Sequence, residues 1–554
     1  MKIKLKWLLF FLLIIIGAIV MKKNLSSFRR QNFYEHFNLS RKNIYVAIED
    51  KYDLENPVTI KNNQIYFPVE LIQNYIDKYI FWDSNQNQLT ITNWDEVIKI
   101  RPDNLTYYTN NEPVIMDTEI YKENGRVYIP QDFLSENYNL DINYNEKNKI
   151  VTVDFKNKTY SQAKVKHKTN LRYIPNKKGY IAGKVPKREK FYVYEEKDGF
   201  TRIRSNGLIG YIPTKKIIDT QQIAAEKINL PPQKKFDGKI KMAWELTTNT
   251  TANYYALQKK FPDTLNVISP TWFTFDTEKL NGDIIDIVDK NYIEKARQNN
   301  CQIWPSLTDN LDYKLTDAIF SDTIKRSHVI NQLLDYVAEY NFEGINIDIE
   351  AISKDTAKYF LQFLRELAPL IRKQNAILSV NIFVPQAWSM YHDRQMIGQT
   401  ADYICLMAYD EHTNGSNKSG PVASYEFVLN GIKDTLKEVP KEKILLGIPF
   451  YVRIWRETDS SLSLENYSMD DGFRFFDKQN VKFEWLDFEK CYYGEFSKSE
   501  NHETVTYKTW LEDEKSIEEK LKLAKKFDLA GICAWRKNLE TNNIWNLIDE
   551  YIKY

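Results

Sequence analysis

The rhythm of apolar and polar positions divides the chain in two. Before residue 220, apolar residues fall in short alternating runs broken by turn residues, which predicts strands with one buried face. From about Lys239 onward, apolar runs alternate with helix-length amphipathic stretches, the pattern of βα repeats. Eight runs predict strands: Ile240 to Trp244, Leu265 to Trp272, Gln302 to Leu307, Gly344 to Ile349, Ile377 to Phe383, Tyr403 to Tyr409, Ile444 to Tyr451 and Ala530 to Trp535. Eight units in a little over 300 residues predict an α/β fold, a (β/α)8 TIM barrel over residues 238–554. A doubly wound open sheet is the alternative, but no glycine-rich phosphate loop follows the first strand. The segment Ser353 to Gln374 sets Phe360, Leu361, Phe363, Leu364 and Leu367 along one side, as an outer helix requires.

Strand four breaks the apolar pattern. Phe342 to Glu350 reads FEGINIDIE, so Asn346, Asp348 and Glu350 share one face while Ile345, Ile347 and Ile349 share the other. An unpartnered buried polar group costs roughly 1 to 3 kcal/mol and a lone carboxylate more, so three on one face point to a site. The plain alternative is an exposed edge strand. In a barrel, chemistry gathers at the C-terminal ends of the strands. There Glu350 closes strand four, Tyr409-Asp410 strand six, Tyr451 strand seven and Trp535 strand eight, with Trp272 at the end of strand two. Cys405, Met407 and Tyr409 share a face of strand six. Met407 and Trp535 each have a core reading, and Tyr409-Asp410 a helix-cap reading. Their convergence on one rim favours the site.

The first region carries a repeat. Ile65-Tyr66-Phe67-Pro68 followed by Leu71-Ile72 matches Val127-Tyr128-Ile129-Pro130 followed by Phe133-Leu134, at an offset of about 62 residues. Each copy reads as strand, short helix and hairpin, with hairpin turns at Ser84 to Asn87 and Asn145 to Asn148. Residues 41–157 thus form a small α+β domain of two repeats, and residues 162–218 a small all-β barrel. Lysines and arginines between Lys164 and Lys190 make the second module locally basic, either a solvated surface or a face for an anionic polymer. A linker holding Pro231-Pro232 precedes the barrel.

Length and charge narrow the function. At 554 residues the chain needs about two to four domains, and a net charge of +1 argues against nucleic acid as a partner. The histidines and four cysteines show no metal-ligand spacing, so neither metal nor cofactor is expected, and the cysteines read as free buried thiols. Lys2, Lys4 and Lys6 precede the apolar run Trp7 to Met21, with Lys22 and Lys23 after it. Residues 1–23 therefore read as a membrane signal anchor or a removed signal peptide, placing the rest outside the cytoplasmic membrane.

Three resemblances add to this reading. Residues 41–157 resemble the copper-amine-oxidase N-terminal domain, without a histidine cluster for copper. Residues 162–218 resemble a bacterial Src-homology-3-like domain. EGINIDIE, the run MAYD at Met407 to Asp410, LGIPFY at Leu446 to Tyr451 and GICAWR at Gly531 to Arg536 resemble family 18 glycoside hydrolases, in the branch of bacterial cell-wall and spore-peptidoglycan N-acetylglucosaminidases. That family's Asp-Gly-x-Asp-x-Asp-x-Glu falls on Glu343, Gly344, Asn346, Asp348 and Glu350, departing at Glu343 and Asn346. The resemblance implies cleavage of β-1,4 bonds next to N-acetylglucosamine in peptidoglycan or a chitin-like glycan, with the substrate's acetamido oxygen as nucleophile. Glu350 is then general acid and base, Asp348 the partner of the acetamido N–H, Asn346 a hydrogen-bond support for Asp348, Tyr409 a donor to the acetamido oxygen and Asp410 a support for the distorted sugar. Trp535, with Met407, Tyr451 and Trp272, would bind substrate. Two rivals are a catalytically silent glycan-binding protein of the same fold and a scaffold whose N-terminal modules do the work.

Overall fold

The computed structural model describes residues 29–227, 234–500 and 502–553. The expected anchor at 1–23 lies outside them; among the described residues no helix is long and apolar enough to cross a membrane. The chain divides into two compact units, Met1–Ile91 with Ile98–Leu230, and Thr92–Val97 with Pro231–Tyr554.

The second unit is built on eight parallel strand positions: β1 (Ile240–Glu245), β2 (Val267–Pro270, then Phe273–Phe275), β3 (Gln302–Ile303, then Ser306–Thr308), β4 (Gly344–Asp348), β5 (Ile377–Phe383), β6 (Tyr403–Met407), β7 (Ile444–Pro449) and β8 (Gly531–Trp535). Each pairs in parallel with its neighbour, and β8 pairs with both β7 and β1, so the sheet closes into a TIM barrel. Two breaks have a covalent cause. Pro270 ends the first half of β2 and Pro305 lies between the halves of β3, and proline supplies no N–H to a ladder. The outer helices start on side-chain caps, among them Asp289, Asp312, Asp322, Ser424 and Asp513, which accept from backbone N–H groups of the first turn. The helix Ala357–Lys373 follows β4 and buries the apolar face that the sequence predicts.

Between β7 and β8 the chain leaves the barrel. Tyr451–Glu457, Leu462–Ser468, Glu484–Leu486, Cys491–Glu500 and Glu503–Leu511 form a five-stranded antiparallel sheet, joined by the helix Met469–Asp477. Tyr451 therefore opens this insertion, whereas the sequence reading had it closing strand seven: the apolar run continues across Pro449-Phe450 without a turn residue to mark the change of sheet. The four cysteines are free and buried.

The first unit is mostly β. One seven-stranded sheet carries both repeat strands, Gln64–Pro68 and Arg126–Pro130, each followed by a short helix, Val69–Tyr75 and Gln131–Asn137. The two repeat strands pair antiparallel with Phe67 opposite Ile129. Those residues are each other's counterparts in the repeat, so a local two-fold axis passes between them and buries both apolar faces in one core. Strands Tyr160–Val165 to Ile217–Ile223 form a second, antiparallel seven-stranded sheet. Tyr45, Ala47 and Ile150 of the first sheet share a core with Val165, Leu171, Phe191 and Ile203 of the second.

Barrel closure constrains Gly531. A Cβ there would stand 2.0 Å from the Ile240 carbonyl oxygen, a backbone atom that cannot swing away. Gly531→Ala is expected to cost about 1 to 3 kcal/mol by overpacking. Gly415→Ala, whose nearest neighbour is the Thr413 hydroxyl at 3.9 Å, is expected to be close to neutral. Thermal melts of the two variants beside the parent check this.

Candidate active site

The inward faces of β4, β5 and β6 hold a file of polar side chains in an otherwise apolar barrel. Asn346 is fully enclosed. Its Oδ1 accepts from the Trp244 indole at 3.0 Å, and its Nδ2 donates to Ser379 Oγ at 2.9 Å and Asn381 Oδ1 at 2.8 Å, with Cys405 Sγ at 3.8 Å. Asn381 Nδ2 in turn donates to Asp348 Oδ1 at 2.6 Å. The sequence reading had Asn346 bonding Asp348 directly; the structure interposes Asn381. The reason is strand geometry: residues two apart on one face stand too far apart for a short amide to span, while the neighbouring strand supplies an amide at the right level.

β4 ends at Asp348, and Glu350 follows in the loop above it. Asp309, beyond β3, fixes that loop by accepting from Glu350 N at 3.1 Å and Ala351 N at 2.6 Å. Burial, then the neighbouring charges of Asp348, Asp309 and Asp410, push the Glu350 carboxyl up to about 8. Burial also pushes Asp348 up to about 6, against the hydrogen bond from Asn381 that favours its charged form. Near neutral pH the pair thus holds one proton on Glu350 and a charge on Asp348.

Past β6, Tyr409 is buried beside Tyr451, ring centroids 6.5 Å apart, and burial holds its phenol well above the ordinary value, so it stays a donor. Asp410 adopts a left-handed φ of +61°, which turns its carboxylate toward the Tyr451 hydroxyl and the Arg453 guanidinium. Arg453 also donates to the His412 carbonyl and, through Nε, to Asn466 Oδ1 at 3.2 Å. Asp410, Tyr451, Arg453, Asn466, Trp535 and Leu246 line a cavity of about 290 Å³. The structure therefore brings together Asn346, Asp348, Glu350, Tyr409, Asp410, Tyr451 and Trp535. Met407 is buried one step above Cys405 on the inward face.

Trp272 is a correction. It is fully enclosed, its indole donating to Asn253 Oδ1 at 2.8 Å and packing against Tyr292 and Phe342, so it offers no surface to a ligand. The break in β2 just after Pro270 turns it off the rim position that its place in the apolar run predicts.

Four contributors escaped the sequence reading. Asn381 repeats on β5 the parity signal of β4, two inward polar residues Ser379 and Asn381 in an apolar strand. Asp309 and Arg453 carried no comparable signal. Glu245, at the end of β1, forms a buried cluster with Lys537 Nζ at 2.7 Å, Asn538 Nδ2 at 2.6 Å and the Tyr292 hydroxyl at 3.0 Å. Lys537 and Asn538 follow Trp535 closely, and Lys537 N also donates to the Trp244 carbonyl, so this cluster sets the height of the tryptophan over the barrel. Among the described residues no His, Cys, Asp and Glu group is arranged to hold a metal ion.

A closed parallel barrel whose C-terminal rim holds a protonated glutamic acid over a buried carboxylate is the scaffold of an acid-base hydrolase. Residues 290–539 match the model of glycosyl hydrolases family 18, and residues 46–153 that of the copper amine oxidase N-terminal domain. The chain is 24% identical over 322 residues to the uncharacterised glycosylase YvbX of Bacillus subtilis (strain 168), covering 54% of this chain and 89% of that protein. It is 24% identical over 237 residues to the cortical fragment-lytic enzyme of Bacillus subtilis (strain 168), covering 41% of this chain and only about half, 54%, of that protein. The same fold occurs in the spore cortex-lytic enzyme SleL of Bacillus cereus, at 19% identity and TM-score 0.51 over 60% of this chain and 77% of that one. It occurs also in a chitinase of Chromobacterium violaceum ATCC 12472, at 18% identity and TM-score 0.51 over 57% and 99%. The barrel of this chain belongs to family 18 of the glycosyl hydrolases, and it is a glycosidase domain.

Lys537 and Glu245 are both excluded from water, so removing one charge strands the other. Lys537→Met is expected to destabilise by about 3 to 5 kcal/mol. Lys279→Met, whose exposed pairs with Asp276 and Asp283 are screened by solvent, is expected to change stability by less than about 1 kcal/mol. Urea unfolding of both variants measures the contrast.

Proposed function

We propose that the barrel hydrolyses β-1,4 bonds next to N-acetylglucosamine in peptidoglycan or a chitin-like glycan, with retention and with the substrate's acetamido group as nucleophile. The observation that carries this reading is the pairing of a protonated Glu350 with a charged, amide-held Asp348 beneath it. Glu350 gives its proton to the glycosidic oxygen as the bond to C1 breaks. The acetamido oxygen attacks C1 and closes an oxazolinium ring, its positive charge opposed by Asp348, which accepts the acetamido N–H. Tyr409 donates to the acetamido oxygen, Asp410 supports the distorted sugar, and Trp535 forms an apolar floor for the ring. Glu350, now a carboxylate, takes a proton from water, which attacks C1 and reopens the ring.

The departure at Glu343 lies away from this chemistry. Its carboxylate accepts from Ile303 N at 3.0 Å and pairs with Arg297, at the opposite end of the strands. The departure at Asn346 keeps the polar file neutral below Asp348. Names of the relatives, a cortical fragment-lytic enzyme and a spore cortex-lytic enzyme, support bacterial wall or cortex peptidoglycan as the polymer and a place outside the cytoplasm. The second sheet of the first unit fits a Src-homology-3-like module.

Incubation of the chain with purified peptidoglycan should release fragments ending in reducing N-acetylglucosamine, and Glu350→Gln should abolish them. Release unchanged by that substitution would sink the proposal. The kcat/KM profile should be bell-shaped. It rises as Asp348 ionises near pH 6 and falls as Glu350 loses its proton near pH 8. Asp348→Asn should lower the rate about 10² to 10⁴-fold, the usual range for such groups, and move the alkaline limb to lower pH, because a charge that holds the Glu350 proton is gone.

The same shift has a thermodynamic consequence. An unfolded Glu350 loses its proton near the ordinary value of 4.5, whereas the folded one keeps it to about 8. Across that window the unfolded chain binds fewer protons, so stability falls as pH rises. Glu350→Gln removes this loss, and its Tm advantage over the parent should grow from pH 5 to pH 8. A gap constant with pH would contradict the assigned protonation.

A further inference from the structure

The first unit contains a groove of about 320 Å³ between its two sheets. One wall is the hairpin of Leu140–Asn145 and Ile150–Phe155, and the other carries Lys190, Tyr192 and Arg204. Asp141 and Asp154 stand directly opposite each other across that hairpin, on the face turned to the groove. Like charges in this position destabilise a sheet, so the pair needs a compensating partner. Asp154 has half of one. Its Oδ2 is held by Arg204, both side chains being more than nine-tenths buried, while its Oδ1 is buried without any hydrogen-bond partner. Arg204 is committed elsewhere too, donating to the Glu49 carbonyl at 2.9 Å. Asp141 is exposed and accepts only from Asn143 Nδ2 at 3.0 Å among the described residues. Lys190, on the opposite wall, is exposed and has no ion-pair partner there.

A second feature concerns the backbone. Leu140–Asn145 is an edge strand of its sheet, so the peptide groups on its outer side have no strand partner among the described residues. Such an edge accepts an extended peptide as an added strand, with main-chain bonds giving affinity and neighbouring side chains giving selectivity. The carboxylate pair calls for an ammonium, and Lys190 for a carboxylate.

We propose that this groove binds an extended peptide that carries a primary ammonium and a carboxylate, adding along Leu140–Asn145 with the ammonium between Asp141 and Asp154 and the carboxylate at Lys190. The site is independent of the barrel chemistry, and binding to it can be read without turnover.

The test uses the full chain and two probes, N-acetyl-Ala-Lys-Ala-Ala with a free C-terminal carboxylate and the same peptide acetylated on the lysine Nε, followed by calorimetry. The first should bind with a Kd of about 1 mM or tighter, the acetylated one at least about tenfold more weakly, a difference of roughly 1.4 kcal/mol. Asp141→Asn, an exposed position whose replacement leaves the fold to Asp154 and Arg204, should weaken the first probe at least about tenfold, and Lys190→Gln should weaken it less. Raising salt should weaken it further. Equal binding of both probes, indifference to Asp141→Asn in a variant that melts like the parent, or no heat up to 10-fold above that Kd would each overturn the proposal. So would displacement by N-acetylglucosamine oligomers, which carry no ammonium.

Discussion

The site of this enzyme hangs on one chain of amide hydrogen bonds inside the barrel: Trp244 to Asn346, Asn346 to Asn381, Asn381 to Asp348. A charged carboxylate in such a place loses most of its hydration, and only fixed dipoles can replace it. The amides do so directionally. Asn381 points its N–H at Asp348, which is possible because Asn346 occupies its carbonyl, which in turn is possible because the Trp244 indole satisfies Asn346. Reversing any amide would place two acceptors or two donors face to face. The file thus orders side chains on β1, β4 and β5 together, and it is why the barrel interior tolerates polar residues at all.

Above this file, electrostatics take over from hydrogen bonding. Among the described residues Glu350 has no side-chain donor holding its charged form; its carboxyl is buried beside three further carboxylates. The Asn381 amide that favours a charged Asp348 thereby helps to keep Glu350 neutral, and acid and charge stabiliser are separated by environment although both are carboxylic acids. Asp410 is held in place by the Tyr451 hydroxyl and the Arg453 guanidinium, which reach it from the insertion between β7 and β8. The insertion is thus part of the electrostatic design of the cleft as well as its wall.

Period-two parity made β4 readable from sequence, because three polar residues at alternate positions of an apolar run have few structural explanations. The same parity would have exposed Asn381, since Ser379-x-Asn381 repeats the pattern one strand further on. Position at the end of an apolar run served less well. It put Tyr409, Asp410 and Trp535 at strand ends but also chose Trp272, because the apolar run continues past Pro270, where the strand breaks and the indole turns toward Asn253 and Tyr292 of the outer helices. Arg453 and Asp309 could not be found this way. Both act through contacts distant in sequence, Arg453 from a separate sheet and Asp309 from a neighbouring loop, and neither sits in a periodic context.

The repeat in the first unit shows the other side of legibility. The offset of about 62 residues announces duplication, yet only the pairing of Phe67 with Ile129 shows what duplication achieves: equivalent strands meet on a two-fold axis, so each apolar face covers its own copy. Symmetry of this kind leaves sheet edges unpaired at its periphery. Leu140–Asn145 is such an edge, belonging to the second copy's hairpin, and its free face carries charge where the core needs none. A fold that closes its core by pairing copies of itself has an edge to spare, and the placement of Asp141 and Asp154 there, opposed and incompletely neutralised, is the kind of local cost that a bound partner relieves.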